Sequence, residues 1–359
     1  MKILIFTNHS YMLYRFRKEL IQALMAEHEV VLSMPFVGHE EDFQAMGLRC
    51  IDTHVDRRGI NPKTDWNLLR TYYRLLKQEK PDMVITYSIK PNIYGGFACS
   101  MLGIPFCANV QGLGTAFQKK GLAQFVTLLY RAALRKAKTV FFENNENARE
   151  FLDRHILTPE KITVLPGAGI NLEEYPCHPY PENTAVHFLY LGRIMKEKGI
   201  DELFSAIRKL HREQKHSITL DLVGFFDDDY SEEVNCLVKD GIVVFHGFQT
   251  DPRPFYAAAD CVVLPSYHEG MSNVLLEAAA TGRPVITSNI PGCKEAVEDG
   301  ESGLLCRVKD ADNLFLKLEQ MCSLSREARE KMGLAARRKM EREFDKSAVV
   351  SQTVLAILK

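Results

Sequence analysis

Two cations follow a predicted strand in the second half of the chain. Arg193 and Lys198 lie in the segment GRIMKEKG, directly after the apolar run HFLYL. Loops that follow the strands of a parallel sheet commonly bind ligands, and two cations close together suit a diphosphate, which concentrates negative charge and hydrogen-bond acceptors. The alternative is that both are solvated loop charges, and position alone does not decide between the two interpretations.

A second polar segment, YHEGMSNVLLEAAATGRPVI, follows the apolar run CVVLP. Ser272 or Asn273 suits an N-cap, and Gly282 followed by Pro284 suits a stop. The pattern therefore predicts a helix from about Val274 to Thr281. Its mouth would present backbone N–H groups to an anion. The expected donors are those of Gly270, Met271, Ser272, Asn273 and Val274.

Two carboxylates accompany this predicted helix mouth. Glu277 lies one turn inside the helix, and helical side chains lean toward the N-terminus, so it is expected to point back at the loop. There it could accept hydrogen bonds from a vicinal diol such as a ribose. Glu269 could do the same for the hydroxyls of a sugar. The alternatives are a helix whose single carboxylate reaches solvent and an ordinary loop acid.

Composition excludes several classes of protein. Hydrophobic residues make up 46% and charged residues 25% of 359 residues, as in folded globular proteins, and the length favours two domains. A formal net charge of −1 gives no reason to expect nucleic acid as a partner. Nine scattered cysteines without a CxxC pair indicate reduced thiols and a cytoplasmic location. The first apolar run is too short for a signal peptide, and no run is long enough to span a bilayer.

Short apolar runs alternate with helical patterns in both halves of the chain, which predicts βαβ units and two doubly wound parallel sheets. In the first half the runs are KILIF, VVLSM, DMVIT, TVFFEN and KITVLP, with helices near Arg15 to Ala26, Trp66 to Gln78 and Gly121 to Lys136. In the second half they are VHFLYLG, SITLDLVG, IVVFHG, CVVLP and PVITS, with a further helix from about Asp201 to Gln214.

The predicted domains are residues 1–168 and 169–344. The segment PGAGINLEEYPCHPYP, rich in proline and glycine, is interpreted as a linker. A final helical segment is interrupted near Phe344 and Asp345, and its last part, about 345–359, is expected to pack back on the first domain. A ligand is expected in a cleft where the carboxyl ends of the two sets of strands face each other.

The motifs GRIMKEKG, ADCVVLPSYHEGMSNVLLEAAATGRPVI and PGCKEAVEDGESGLL closely resemble the donor-binding domain of retaining nucleotide-sugar glycosyltransferases of family four. The resemblance covers roughly residues 187 to 308 and implies the GT-B architecture of two Rossmann-like domains. It implies that Arg193 and Lys198 hold the diphosphate and that Glu269 contacts the donor sugar. It also implies that residues 270–274 supply backbone donors and that Glu277 binds the ribose.

The first half resembles, more loosely, the members of that family that build lipid-linked surface polysaccharides in bacteria. The segments that carry this resemblance are YSIKPNIYGGFA, NVQGLGTAF and LPGAGIN. Many relatives have a paired-glycine loop after the first strand, whereas this chain has TNHSYMLYRF, so His9, Ser10 or Arg15 must replace that loop if anything does.

Candidate acceptor-side residues in the first half are polar side chains and glycines that follow predicted strands. Ser88, Lys90 and Asn92 come after DMVIT, and the alternative for Lys90 is a solvent-facing lysine. Glycines in QGLGTAF would let backbone approach a ligand closely, although G-x-G alone is a weak signal. The acceptor-side residues are predicted to be His9, Arg15, Ser88, Lys90, Asn92, Gly112 and Gly114.

Two further segments leave alternatives open. Asp227, Asp228 and Asp229 could hold a divalent metal on a diphosphate, but the run resembles a solvated loop, so metal-independent activity without a cofactor is expected. The segment KKGLAQFVTLLYRAALRKAK reads as a basic amphipathic helix that could touch anionic lipid, or as a helix packed on the sheet.

The sequence thus predicts transfer of a sugar from a UDP-sugar to a saccharide hydroxyl, with a polyprenyl-diphosphate-linked acceptor and cytoplasmic location, peripheral at the inner membrane if the acceptor is lipid-linked. The alternatives are a sugar-nucleotide epimerase and a sugar-nucleotide-binding protein without catalysis. A dinucleotide oxidoreductase is disfavoured because neither half has G-x-G-x-x-G after its first strand.

Overall fold

The computed structural model describes residues 1–56, 61–113, 117, 120–213 and 216–359. The chain forms two compact units. Unit 1 consists of Met1–Ala168 and Ser347–Lys359, and unit 2 consists of Gly169–Lys346.

Unit 1 contains a seven-stranded parallel sheet with the order β3-β2-β1-β4-β5-β6-β7. Its strands are β1 Lys2–Phe6, β2 Glu29–Met34, β3 Arg49–Asp52, β4 Met83–Tyr87, β5 Phe106–Val110, β6 Thr139–Phe142 and β7 Ile162–Val164. β1 pairs with β2 and β4, and β4 pairs with β5, so the carboxyl ends of β1, β4 and β5 are neighbours.

The helices of unit 1 cover both faces of this sheet. They are α1 Ser10–Met25, α2 Glu40–Ala45, α3 Pro62–Glu79, α4 Gly96–Leu102, α5 Lys120–Leu134, α6 Asn145–Asp153 and, from the end of the chain, α13 Lys346–Leu358. One core lies beneath α3, α4 and α5 and includes Tyr72, Cys99 and Tyr130. The other lies beneath α1 and includes Leu20 and, from α13, Ile357.

Unit 2 contains a six-stranded parallel sheet with the order β10-β9-β8-β11-β12-β13. Its strands are β8 Val186–Leu191, β9 Ile218–Val223, β10 Val243–Gly247, β11 Cys261–Leu264, β12 Val285–Ser288 and β13 Gly303–Cys306. Its helices are α7 Ile200–Glu213, α8 Ser231–Lys239, α9 Arg253–Ala258, α10 Asn273–Ala280, α11 Ala311–Ser323 and α12 Arg326–Glu343. Both sheets have the doubly wound order predicted from the alternation of strands and helices.

The interpretation of PGAGINLEEYPCHPYP as a linker is wrong for most of the segment, which packs on unit 2. Tyr175 and Tyr180 are buried, and the Tyr180 hydroxyl donates to the Asp260 carbonyl over 2.6 Å. The buried area of the two tyrosine rings outweighs the turn-forming prolines and glycines, because burial of large aromatic side chains stabilises a fold.

The final helical segment breaks at the predicted place and returns to unit 1. Helix α12 ends at Glu343 and α13 begins at Lys346. Ile357 is fully buried, and the Lys138 Nζ donates to its carbonyl over 3.1 Å. Among the helices of the described residues, none is long and apolar enough to cross a membrane.

Candidate functional site

Two loops at the carboxyl edge of the unit 2 sheet lie against each other. Strands β8 and β11 are parallel neighbours, so the loops that follow them, 192–199 and 265–272, leave the sheet side by side. Gly199 has a φ of +73°, and a Cβ there would overlap with the Pro265 carbonyl group. Only glycine therefore allows this close approach, which brings the two predicted motifs together.

Lys198 and Glu269 form an ion pair between these loops. The Lys198 Nζ donates to Glu269 Oε1 over 2.5 Å, and the Ser266 hydroxyl donates to the same oxygen over 2.8 Å. Both side chains are mostly shielded from solvent. An anion bound here would compete with Glu269 for the ammonium group.

Arg193 lies on the same loop and pairs with Asp227 over 2.6 Å. Its side chain is 46% exposed, so the guanidinium can still reach a ligand. The Tyr190 hydroxyl donates to the Arg193 carbonyl over 2.6 Å. Burial raises the pKa of Tyr190 well above its usual value, the Glu269 carboxylate raises it further, and Arg193 lowers it. Tyr190 is therefore within electrostatic reach of both Arg193 and Glu269.

The three carboxylates of the acidic run Asp227 to Asp229 accept hydrogen bonds from protein groups, two of them on the loop after β8. Asp227 accepts from Arg193, Asp228 accepts from the backbone N–H of Lys196 over 2.9 Å, and Asp229 accepts from the Ser231 hydroxyl over 3.0 Å. Within the described ranges, no three His, Cys, Asp or Glu side chains are grouped so that they could hold a metal ion. Activity without a metal stays a prediction.

Helix α10 begins one residue before the predicted start and ends one residue earlier than predicted. The Ser272 N–H, predicted to bind an anion, donates instead to the Gly292 carbonyl over 2.9 Å, which corrects that assignment. Gly292 has a φ of +84°, and a Cβ there would overlap with the Gly270 carbonyl. Asn273 and Val274 are the first two residues of the helix, so their N–H groups have no intrahelical acceptor.

The remaining residues of the predicted anion site differ in their surroundings. Met271 is buried and belongs to the hydrophobic core of unit 2, so only its backbone can contribute to a surface site. Gly270 is half-buried on the loop that leads to α10. The candidate anion site at the start of α10 therefore has fewer residues than predicted, namely Gly270, Asn273 and Val274.

Glu277 is buried, so the alternative that it reaches solvent is wrong. Its Oε2 accepts from the hydroxyl of Tyr256, a fully buried residue of α9, over 2.8 Å. A buried carboxylate needs such donors because desolvation otherwise penalises its charge. Whether Glu277 binds a ribose stays a prediction, and Tyr256 is a contact that the sequence analysis did not find.

Arg283 fixes the position of Tyr256. This arginine is fully buried, and its Nε donates to the Tyr256 carbonyl over 3.1 Å. Burial lowers its pKa. Its guanidinium satisfies further backbone carbonyls of three segments, those of His178, Pro179, Ala257, Thr281 and Gly282. Arg283 therefore ties the start of unit 2 to α9 and to the end of α10.

Predicted acceptor-side residues of unit 1 follow the neighbouring strands β1, β4 and β5. Ser88 has a φ of +77°, and its hydroxyl donates to Asn8 Oδ1 over 2.8 Å, which links the ends of β4 and β1. Lys90 forms an ion pair with the buried Asp65 over 2.8 Å. Its side chain is largely shielded, so the alternative of a solvent-facing lysine is wrong.

Asn92 does not line a surface, which corrects its assignment to the acceptor side. It is buried, its Oδ1 accepts from the Thr86 hydroxyl over 2.7 Å, and its Nδ2 donates to the Asn109 carbonyl over 2.8 Å. Both ends of the amide thus join β4 to β5. The sequence could not distinguish this role because the loop after β4 turns directly into a π-helical segment, Pro91–Gly95.

The other predicted residues of unit 1 lie at the same sheet edge or just beyond it. His9 precedes α1 in an extended conformation, Arg15 is half-buried on α1, and Gly112 follows β5. Gly114 lies outside the described residues. Arg17 was not among the predicted residues; its Nη2 donates to Glu143 Oε1 over 2.8 Å in the buried layer between α1 and the end of β6.

Two family models match the chain, one in each unit. "Glycosyltransferase Family 4" matches residues 14–174, and "Glycosyl transferases group 1" matches residues 185–323, which include both loops of the candidate site. The chain belongs to the glycosyltransferases. The resemblance stated from the motifs is thereby confirmed at the level of the family.

Two curated relatives resemble this glycosyltransferase over most of its length. The N,N'-diacetylbacillosaminyl-diphospho-undecaprenol alpha-1,3-N-acetylgalactosaminyltransferase of Campylobacter jejuni is 28% identical over 328 residues, which cover 85% of each chain. The UDP-Gal:alpha-D-GlcNAc-diphosphoundecaprenol alpha-1,3-galactosyltransferase of Escherichia coli is 28% identical over 276 residues, covering 72% of this chain and 70% of that protein.

Solved structures confirm the fold class of this glycosyltransferase. The crystal structure of Anabaena Alr3699/HepE in complex with UDP and glucose has a TM-score of 0.81 at 18% identity, covering 99% of this chain and 98% of that one. At this identity the similarity concerns the fold, which is the predicted GT-B type with two parallel α/β sheets.

Proposed function

We propose that this glycosyltransferase moves a hexose or N-acetylhexosamine from a UDP-sugar to a saccharide hydroxyl on a polyprenyl-diphosphate-linked acceptor, with retention, in the synthesis of a bacterial surface glycan. The observation that carries the proposal is the Lys198–Glu269 ion pair beside the loop that opens α10, in the unit that matches a glycosyltransferase model. Related enzymes whose names specify an undecaprenyl-diphosphate-linked substrate support the acceptor class.

Stabilisation of the leaving group is the proposed contribution of unit 2. The bond between the anomeric carbon and the diphosphate breaks, and charge develops on the diphosphate as the acceptor oxygen bonds to that carbon. Lys198, Arg193 and the first amides of α10 would stabilise this charge because they are preorganised at one sheet edge. The acceptor proton would pass to a phosphate oxygen, and Glu269 would hold hydroxyls of the donor sugar once Lys198 has turned to the phosphates.

A pair of aromatic rings supports a nucleotide donor. Phe225 and Phe248 follow the neighbouring strands β9 and β10 at the carboxyl edge of the unit 2 sheet, and both are exposed. Their ring centroids lie 6.1 Å apart in an edge-to-face arrangement. Exposed aromatic faces suit stacking with a planar base. Glu277, whose position Tyr256 fixes, is proposed to bind the ribose between this base and the diphosphate.

The deciding experiment incubates the purified enzyme with individual UDP-sugars and a membrane extract that contains lipid-linked oligosaccharides. A mass increase of one sugar in the lipid-linked pool supports the proposal, and NMR of the anomeric proton tests retention. Isomerisation of a donor without any acceptor would instead identify an epimerase. Tight UDP binding without turnover in any acceptor pool would identify a binding protein.

Replacement of Lys198 tests the role of the ion pair. Lys198→Ala should lower turnover by on the order of 10²-fold or more, because charge stabilisation in the transition state is lost. Lys196→Ala is the matched control, since Lys196 is exposed on the same loop and forms only a 3.4 Å pair with Asp201. Near-normal turnover of Lys198→Ala, measured with the identified donor and acceptor, would remove Lys198 from the site.

We also propose that the reaction needs no metal ion, because Asp227 to Asp229 already bind protein groups. Excess EDTA should leave turnover unchanged, since Arg193 and Lys198 supply the positive charge. Loss of turnover that manganese restores would contradict this expectation and would assign the acidic run to a metal.

The proposed location is the inner face of the bacterial membrane, where a lipid-linked acceptor would be reached from the cytoplasm.

A further inference from the structure

An apolar groove with a cationic rim runs along α3 in unit 1. It has a volume of about 650 Å³, and its walls include Trp66, Tyr73 and Met101, with Arg70, Arg74 and Lys77 along its length. Trp66 is 61% and Met101 65% exposed, which is unusual for side chains whose burial would each stabilise a protein by about 1.5–3 kcal/mol. The groove lies outside the candidate site, and nothing in the proposed chemistry uses it.

The charges of α3 are divided between its two faces. Its two acidic residues, Asp65 and Glu79, are buried and bind Lys90 and Lys2. The charged side chains on the exposed face of α3 are therefore all cationic. Within the part of the chain that the structure describes, Arg70, Arg74 and Lys77 form no ion pair with a carboxylate, and the Lys77 Nζ lies 4.9 Å from the centre of the Tyr73 ring. This surface repels cationic partners and attracts anionic ones.

The same helical layer exposes further apolar side chains. Helix α4 packs against both α3 and α5, and α5 exposes Phe125 and Leu128. The opposite side of these helices packs on the sheet, where Leu68 and Val126 lie in one core. The exposed side chains are therefore not compensating for poor packing. Apolar side chains with unpaired cations are the composition of surfaces that lie on anionic bilayers.

We propose that the α3–α4 groove docks unit 1 on an anionic phospholipid surface, with Trp66 and Met101 among the acyl chains and the cations at the phosphates. The proposal rests on the proposed function in one respect, because an enzyme with a lipid-linked acceptor must reach the bilayer. It deepens that function by assigning the contact to α3 and α4 rather than to α5 alone.

Trp66 reports on this docking directly, because it is the single tryptophan of the chain. Its fluorescence should shift to the blue when vesicles of phosphatidylcholine and phosphatidylglycerol are added, and brominated lipid should quench it. Vesicles of phosphatidylcholine alone should have little effect, and added salt should reverse the shift. Sedimentation with the anionic vesicles without any change in Trp66 emission would overturn the proposal, because another surface would then make the contact.

The second test of the proposal removes the positive charges of the groove. The triple variant Arg70→Gln, Arg74→Gln, Lys77→Gln should bind anionic vesicles on the order of tenfold to a hundredfold more weakly. The matched control removes three exposed cations from unit 2 by Arg212→Gln, Lys239→Gln and Lys331→Gln. Equal binding of wild type and groove variant, or an equal loss in the control, would overturn the proposal.

Two further readouts separate this proposal from others. Turnover of a detergent-dispersed acceptor should be unchanged in the groove variant, so a failure of docking and a failure of the proposed function give different results. A blue-shifted Trp66 in concentrated protein without vesicles, together with a dimer in sedimentation velocity, would assign the groove to a second copy of the chain and overturn lipid docking.

Discussion

The ion pair between Lys198 and Glu269 sets a condition on the proposed binding of a donor. Under the proposed function, a diphosphate would replace Glu269 as the partner of the ammonium group, and the released carboxylate would then be available to sugar hydroxyls. One exchange of partners would thus couple the two ends of the donor. Both residues were predicted as site residues from the motifs, but their pairing, which depends on β8 and β11 being neighbouring strands, was not.

Tyr256 tests whether Glu277 must be held in position. Tyr256→Phe removes the hydroxyl that donates to Glu277 and leaves a buried carboxylate one donor short, at a cost of about 1–3 kcal/mol in the free energy of unfolding. UDP affinity, measured by calorimetry, should fall on the order of tenfold. The control Tyr14→Phe in unit 1 should leave it unchanged. Normal UDP affinity in Tyr256→Phe would contradict the proposed role of Glu277.

Residues that act through long-range contacts could not be predicted. Glu277 was found because its place in a helix gives its direction, but Tyr256 belongs to α9, a six-residue helix without a periodic pattern. Ser272 was misassigned because the acceptor of its N–H is Gly292, on a loop after another strand. Such contacts depend on how loops pack, which local spacing does not specify.

At the scale of elements, close approach of loops at glycines shapes the candidate site. Gly199 and Gly292 both have positive φ, and each lets its loop touch the backbone of the segment between β11 and α10. Gly199 approaches Pro265 at the start of this segment, and Gly292 approaches Glu269 and Gly270 in its middle. The position of the mouth of α10 therefore depends on two residues that carry no side chain.

Gly292→Ala should displace the Gly270 loop and weaken UDP binding by about tenfold or more, because the new Cβ overlaps with backbone. Gly300→Ala is the matched control, since Gly300 has a similar φ of +80° but nothing within 4 Å of a Cβ. Calorimetric titration with UDP should show the control within about twofold of wild type, with the strain appearing only as about 1–2 kcal/mol in stability. Equal affinities would show that the loop position is unimportant.

Strands with clear apolar runs were predicted even where they are short, such as the three-residue β7, whereas β3, β5 and β13 were missed. Strand β1 has the predicted bounds, and α3 was recognised from its apolar spacing. Strand β3 is only four residues long, RCID, with a charged residue at each end and two apolar residues between them, so its pattern does not stand out. Strand β13 is equally short. These strands form because a neighbouring strand supplies hydrogen bonds, which is information that the segment itself lacks.

At the scale of the whole molecule, α13 ties the end of the described chain to unit 1. Ile357 is buried in the core beneath α1, whereas Leu355 on the same helix is 62% exposed. Ile357→Ala should lower the free energy of unfolding of unit 1 by about 2–5 kcal/mol because it leaves a cavity. Leu355→Ala should change it by less than about 0.5 kcal/mol. Denaturant unfolding followed by far-UV circular dichroism distinguishes the two, and equal stabilities would contradict the packing described.

The division into two α/β halves could be predicted because the alternation of strands and helices stops and starts again. The packing of the connecting segment on unit 2 could not be predicted, because its prolines and glycines are typical of a loop while Tyr175 and Tyr180 are buried. Composition indicates which residues favour turns, whereas burial of the tyrosine rings depends on tertiary contacts that composition does not specify.

The route of the chain has a consequence for how such enzymes diversify. Residues 169–346 are continuous in sequence, whereas unit 1 is assembled from two separate pieces. Genetic exchange that replaces unit 2 therefore needs only one continuous segment between two junctions. The reverse graft, of the other half, would need two coordinated recombination events.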